Sequence, residues 1–411
     1  MIGIRRPRVI WVTPWFPDSP TDGRFSFIFR AAEALVQQGV ELRIVVLRPW
    51  IPRLAFTRRA SSGGRPPRGF GPGLDVRTIT FPRLPRMILL RYSYFVYRLV
   101  VGPLLRRQIL EFDPDVVHAH TDWAAYSAVP AAQRLGRRSV VSIHAADVTQ
   151  QIVNVARTRG RLARTLAAAS QVLMVGSPVR PYLHALGVDT REFLILPNGY
   201  VLPPGIGTPP SVGSGGELRL VTISRLDRGK AIDIALVALA RLRDRGVSSS
   251  YEIIGEGPMK RTLEALVREL QLSHRVRFLG QLDHDRAMRQ LVPAHAFLFP
   301  SYKEAFGVAA LEAMATGLVT VAVEGQGPSD FIRHGDTGFL VPPANPSAIA
   351  DVLEQLASDP SKAGEVAAAG KQFAEENLTW NHHAIRLLAA YERTDRKGAE
   401  RDAASRGLSE R

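Results

Sequence analysis

Two successive series of short apolar segments, each alternating with helix-length stretches, constrain this 411-residue chain more than any other feature. The first series predicts strands over 8–12, 41–47, 116–120 and 139–143, with helices over 25–38 and 124–135. Gly39 and Gly136 stop those helices just before the next strand. The second series opens with a strand over 218–224 and continues near 251–254, 276–279, 296–299 and 319–323. Repeated strand-helix-strand order implies a doubly wound parallel sheet, which collects ligands at the carboxyl ends of its strands. Residues 202–216 are rich in Pro, Gly and Ser and read as a linker. The expected class is therefore α/β, with two Rossmann-like domains facing a cleft. The expected division is 1–201, the linker 202–216, 217–375, a terminal helix over 376–392 packing back on the first domain, and a charged, unstructured tail over 393–411.

Composition limits the chemistry. The chain has no cysteine, which removes disulfides, thiolate metal sites and a cysteine nucleophile, and fits a reducing, cytoplasmic interior. The apolar run at 9–12 is short and followed by Pro14 and Pro17, so it reads as a first strand rather than a signal peptide. The net charge of +15 is unevenly placed. Residues 1–200 hold 28 Arg, no Lys and 12 acidic residues, a balance of +16, while 201–411 hold 25 basic and 26 acidic residues, a balance of −1. A basic half attracts an anionic partner such as nucleic acid, a lipid surface or an acidic substrate, and Arg-rich usage from a GC-rich genome is the plainer account. Residues 52–73 lack periodicity and read as a mobile loop. Residues 86–111 are dense in Leu, Tyr, Phe and Val but interrupted by Arg91, Arg98, Arg106 and Arg107, which excludes a clean membrane span. A helix covering the first sheet is the favoured reading, with an amphipathic helix lying on an anionic membrane as the alternative.

The segment from Ser301 to Glu312 carries the sharpest chemical signal. Glu304 and Glu312 stand eight apart across a helix start that directly follows the strand at 296–299. Such a start offers backbone N–H groups and a positive dipole end to a phosphate. On one helix the two carboxylates would be about 12 Å apart, too far to act as one acid/base dyad, so they would touch different parts of a long ligand. The same spacing recurs at Glu33/Glu41, Glu256/Glu264 and Glu392/Glu400 without that context. Earlier, Arg225 and Lys230 lie five apart between a strand and a helix, the composition of a pyrophosphate receptor or of an ordinary basic loop. Gly255 and Gly257 follow the next strand and permit close backbone approach.

In order, Ser224-Arg225-Leu226 with Lys230, Gly255-Glu256-Gly257-Pro258, Glu304-Ala305-Phe306-Gly307 with Leu311-Glu312-Ala313-Met314-Ala315, and Gly338-Phe339-Leu340-Val341 resemble the donor domain of GT-B retaining glycosyltransferases, specifically family 4 of the group 1 type. The match spans nearly all of 218–345. The resemblance implies that Arg225 and Lys230 hold a diphosphate and that Glu304 contacts donor-sugar hydroxyls. It also implies that Phe306, Gly307 and Val308 supply backbone near the phosphates and that Glu312 binds ribose. Two departures bear on a local turn: Gly327-Pro328-Ser329-Asp330 stands where Gly-x-Pro-Glu is common, and Val319 where Pro is common.

On the acceptor side, Asp22, Gly23, Arg24 and Phe25 follow the first strand where the family often has a Gly-Gly pair, a version similar to the subgroup that builds surface polysaccharides. His144 matches the family's strand-ending His and is implied to lie beside the reacting sugar; a histidine with purely structural hydrogen bonds is the bland alternative. His118 and His120 end another strand, alternate in direction and read as a second rim contact at best. The resemblance implies transfer of a sugar from a nucleoside diphosphate to a hydroxyl of a glycan, lipid-linked or small-molecule acceptor, with retention and front-face attack. His144, Glu304 and Lys230 would be the catalytic set. No metal and no cofactor are expected, since Asp113-Pro114-Asp115 and Asp283-His284-Asp285 fit a metal-binding Asp-x-Asp only by letters. The partners expected are the nucleotide-sugar donor, the acceptor and an anionic membrane surface on whose inner face the chain sits peripherally; no nucleic acid is expected. The rival readings are a nucleotide-sugar epimerase or hydrolase on this architecture and a non-catalytic basic membrane binder.

Overall fold

The computed structural model describes residues 7–20, 25–50, 67, 69–71, 73–82, 90–144, 156–210 and 216–407. The chain divides into two compact units, one of residues 1–175, 179–197 and 380–411, the other of residues 176–178 and 198–379. The first unit runs β1 (Arg8–Thr13), α1 (Ser26–Gln37), β2 (Glu41–Trp50), β3 (Leu74–Pro82), α2 (Leu90–Phe112), β4 (Val116–His120), α3 (Asp122–Arg134), β5 (Arg138–Ile143), α4 (Ala156–Ala168), β6 (Gln171–Met174), α5 (Arg180–Ala185) and β7 (Leu194–Ile195). The second runs β8 (Leu218–Ile223), α6 (Ile232–Asp244), β9 (Ser249–Ile254), α7 (Lys260–Glu269), β10 (Val276–Gly280), α8 (His284–Arg289), β11 (Ala296–Phe299), α9 (Val308–Thr316), β12 (Val319–Val323), β13 (Phe339–Val341), α10 (Pro346–Ser358) and α11 (Pro360–Asn377). The last helix, α12 (Trp380–Gly407), returns to the first unit.

Both sheets are parallel throughout their described strands, in the orders β3-β2-β1-β4-β5-β6-β7 and β10-β9-β8-β11-β12-β13. Strands buried on both faces explain why β4, β11 and β12 are enclosed along their whole length and read as continuous apolar runs. In each sheet the winding direction reverses once, between β1 and β4 and between β8 and β11. The loops leaving those strands part to opposite faces and open a crevice at the carboxyl edge. In the second sheet Thr222 Oγ1, in the core, donates to the Leu298 carbonyl at 2.6 Å and lies 2.7 Å from the Tyr251 hydroxyl, tying three neighbouring strands together.

The predicted strands at 116–120, 296–299 and 319–323 match the observed ones, and the others differ by a residue or two at their ends, save β2, which runs on to Trp50. One expectation changes. The charged stretch from residue 393 is helical as far as Gly407, because α12 simply continues. The expected loop at 52–73 falls almost wholly outside the described residues. Helix α2 does cover the first sheet: Tyr97, Val101, Leu105, Ile109 and Phe112 are buried at helical spacing.

α12 is docked by a buried polar chain as well as by Ala384, Leu387 and Leu388. An indole can only donate, so Trp11 Nε1 donates to the Tyr391 hydroxyl at 3.0 Å, and that hydroxyl's hydrogen goes to His118 Nδ1 at 2.7 Å. Burial pushes His118 well below the ordinary histidine range, so it is neutral, carries its proton on Nε2 and donates to Ser142 Oγ at 2.8 Å. Tyr391→Phe strands both the indole N–H and His118 Nδ1 in the core. We expect a loss of about 2–6 kcal/mol from the first unit, at about 1–3 kcal/mol per buried group left unsatisfied, read as a lowered calorimetric midpoint.

Candidate active site

The crevice of the second unit is built by the loops after β8 and β11. Asp227 accepts from the Gly229 amide at 3.0 Å and so folds Arg228–Lys230 into a single 3₁₀ turn ahead of α6. The Gly229 carbonyl then accepts from the Tyr302 amide at 3.1 Å and the Ser301 hydroxyl at 3.2 Å, which stitches the two loops together. Across that seam Lys230 Nζ meets Glu304 Oε2 at 2.7 Å, each side chain about one-fifth exposed. The Glu304 backbone is fixed from both ends: its amide donates to Gln326 Oε1 at 3.1 Å and its carbonyl accepts from the Gly327 amide at 2.9 Å. Lys230 Nζ also lies 5.6 Å from the centre of the Phe299 ring.

α9 begins immediately beyond, with Gly307 at φ 92° and no capping side chain, so its first amides remain available to an anion. The Phe306 side chain is buried against Phe331, and Gly327 packs on the Phe306 backbone, where a Cβ would stand 2.3 Å from its amide nitrogen. Arg225 is exposed, 3.8 Å from Asp227, and free to swing onto an anion. Gly255 and Gly257 have a packing reason. A Cβ on Gly255 would stand 1.9 Å from the Ser224 carbonyl oxygen, and one on Gly257 2.2 Å from that of Leu226. Their loop braces the Ser224–Leu226 segment, with the Leu226 amide donating to the Glu256 carbonyl.

Glu312, 7% exposed, points away from the Lys230–Glu304 pair to its own partner. His284 Nε2, from α8, donates to Glu312 Oε1 at 2.9 Å, and the Val201 amide also bonds the carboxylate. Burial pushes the Glu312 carboxyl up, and the hydrogen bond to Glu312 raises His284. The two glutamates thus have separate side-chain partners, Lys230 for Glu304 and His284 for Glu312. Asp283, in the same Asp-His-Asp triplet, caps α8 through the Arg286 amide at 2.9 Å, and Asp115 accepts from the Arg8 amide at 2.7 Å. Asp330, of the variant turn, accepts from the Ser177 amide at 2.7 Å.

In the first unit, Asp22, Gly23 and Arg24 lie outside the described residues. His144 follows β5 and sits among aromatics, 5.2 Å from Phe27 and 6.0 Å from Trp15 between ring centres, with Trp15 stacked on Phe25. Neither His118 nor His120 is a rim contact: His118 is buried in the core chain described above, and His120, only 4% exposed, packs parallel to His144 with its Nδ1 3.4 Å from His144 Nε2. The inward face of β4 and the cover of Trp11 enclose it. Its Nε2 has no hydrogen-bond partner among the described residues.

The family model for "Glycosyl transferases group 1" matches residues 210–373, and that for "Glycosyltransferase Family 4" matches residues 22–202. The chain belongs to this glycosyltransferase family. Its activity is transfer of a sugar from a nucleotide-sugar donor, and its architecture is GT-B. The chain is 29% identical over 290 residues to glycogen synthase of Mycobacterium tuberculosis, covering 68% of each protein. It is 28% identical over 307 residues to the GDP-mannose-dependent alpha-(1-6)-phosphatidylinositol monomannoside mannosyltransferase of Mycolicibacterium smegmatis, covering 70% of this chain and 78% of the relative. Anabaena HepE, solved in complex with UDP, superposes with a TM-score of 0.67 at 15% identity over 94% of this chain and 99% of that one, which is a likeness of fold.

Spacing pointed to Glu304, Lys230 and Glu312, but not to Gln326, His284 or Phe27, which reach these residues only through the tertiary fold. Replacing His284 with Leu leaves the buried Glu312 carboxyl without its side-chain hydrogen-bond donor. The second unit should then lose about 1–3 kcal/mol of stability, read as a lowered calorimetric midpoint, with His284→Gln, which keeps a donor, recovering most of the loss.

A second expectation follows from the first unit's histidines. Burial depresses His118, His120, His144 and His383, the last two to about 4. Between about 4 and 6.5 the unfolded chain therefore binds more protons than the folded one, so stability rises with pH through that window and is complete above it. Calorimetry at falling pH should show the first unit melting progressively earlier below about 6.5.

Proposed function

We propose that this enzyme is a retaining, metal-independent glycosyltransferase of cell-envelope polysaccharide or glycolipid synthesis. It binds a nucleoside-diphosphate sugar in the second unit and a glycan, lipid-linked or small-molecule acceptor in the first, as a peripheral protein on the inner face of the plasma membrane. The Lys230–Glu304 pair carries this reading. An ammonium and a carboxylate held at a crevice mouth, beside the uncapped start of α9, form a latent phosphate and sugar-hydroxyl site. The incoming diphosphate takes Lys230, Arg225 and the amides from Gly307 onward. Glu304, released from its cation, accepts hydrogen bonds from the sugar, and Glu312 takes the ribose diol. Phosphatidylinositol monomannoside, in the name of one relative, supports a lipid-linked acceptor.

In the step proposed, the bond from the anomeric carbon to the diphosphate oxygen breaks and the acceptor hydroxyl oxygen bonds the same face of that carbon. The hydroxyl proton passes to the departing diphosphate oxygen. Lys230, Arg225 and the helix start stabilise the charge that develops there, the task a metal performs in other transferases. Neutral His144, on its aromatic bed, orients the acceptor sugar.

Lys230→Ala and Glu304→Gln should each lower kcat/KM at least about a hundredfold, the scale of losing one charge-stabilising contact, with unchanged calorimetric midpoints. A thermal-shift panel of nucleotide sugars supplies the donor for this assay. Full activity in either variant rejects the site. Loss of turnover in a chelator rejects metal independence, an inverted anomer by NMR rejects retention, and sugar release or epimerisation without acceptor favours the rival enzymes.

A further inference from the structure

A groove of about 1450 Å³ lies on the outer helical layer of the first unit, remote in sequence from every strand-end loop described above. Its floor is made by α2 and α3, and Arg161 from α4 closes one side. Along α2 the residues that bury the sheet side are Tyr97, Val101, Leu105 and Ile109. The opposite face presents Leu99, Pro103, Arg106 and Leu110 at spacings of four, three and four, one continuous stripe. Leu99 and Leu110 are 58% and 60% exposed, unusual for leucines placed in one line.

The charge around that stripe is one-sided. Arg98, Arg106, Arg107 and Arg134 line the groove with Arg161, and Glu111 is the one carboxylate among the lining residues. Glu111 is already bound, at 3.0 Å, by Arg43. Arg161 leans over the Tyr126 ring at 4.9 Å. Among the described residues, Arg98, Arg106, Arg107 and Arg134 form no ion pair.

We infer that this groove docks the enzyme on a bilayer surface rich in acidic phospholipid. The inference deepens the membrane placement proposed above by naming its surface, and it is independent of the donor chemistry. Guanidinium forks match phosphodiester oxygens, and the leucines between them supply apolar anchors that no free phosphate would use. Basic side chains flanking an apolar stripe on one helix are the pattern of a helix lying in a lipid interface. Among the described residues no helix is long and apolar enough to cross a membrane, so the contact is one of lying on the surface. A second copy of the chain is disfavoured, because face-to-face docking would oppose five arginines to five.

Co-sedimentation of the full chain with phosphatidylcholine vesicles, with and without phosphatidylglycerol, tests this. Binding is expected to need phosphatidylglycerol. It should weaken about 30-fold in the Arg106→Gln/Arg107→Gln variant, at about fivefold per arginine, and about tenfold in Leu99→Ser/Leu110→Ser. Thermal shift by UDP should be unchanged in both variants, which keeps failure of the donor site separate from failure of this one. All four positions are exposed, so unchanged melting midpoints confirm the fold. Equal binding to neutral vesicles, equal binding by the variants, displacement by inorganic phosphate, or a dimer in sedimentation that the leucine changes dissolve would each overturn the inference.

Discussion

Parallel pairing is the constraint from which the rest follows. A parallel sheet delivers the carboxyl ends of all its strands to one edge, and every connection must climb back over a face. Where the winding reverses, two neighbouring strands release their loops in opposite directions, and the chain cannot fill the gap. In the second unit that gap falls between β8 and β11, whose loops carry Lys230 and Glu304. The ion pair is thus a product of topology: residues 74 apart in sequence meet because the strands feeding them are neighbours.

Once the strands set that edge, local chemistry sets its fine position. Asp227 shapes the turn that carries Lys230, Gly229 receives two bonds from the opposite loop, and Gln326 with Gly327 pins Glu304. Gly255 and Gly257 let a third loop press against the first at distances no Cβ would tolerate. Lys230 and Glu304 therefore stand on a backbone held from several sides, while their own contact is a partly solvated ion pair. Rigid support under an exchangeable contact is the arrangement the proposed donor site needs.

How much of this was legible in the sequence depended on the range of the interaction. Strands such as 296–299 and 319–323 were legible because burial on both faces leaves an unbroken apolar run. Glu304 and Glu312 were legible because a strand, a glycine and a helix start surround them locally. His284 was not, since its Asp-His-Asp context suggests a metal triplet and only the packing of α8 brings it to Glu312. His120 read as a rim residue because strand alternation does not say that Trp11 and His144 close over it. Trp11, Tyr391 and His118 form one chain of hydrogen bonds across a separation of 380 residues, for which no periodicity exists.

The charge imbalance shows the same division between local and global information. Composition locates an excess of +16 in the first 200 residues but not where on the surface it emerges. In the folded unit the acidic minority is largely committed. Glu41 binds Arg8, Asp75 binds Arg43 and Arg77, Asp18 binds Arg48, Asp113 binds Arg137 and Asp189 binds Arg191. These pairs are mostly exposed and contribute little stability individually. Their consequence is one of placement, because they silence the arginines at strand starts and loop corners and leave other described arginines without an ion pair. Four of those line the outer groove of α2 and α3.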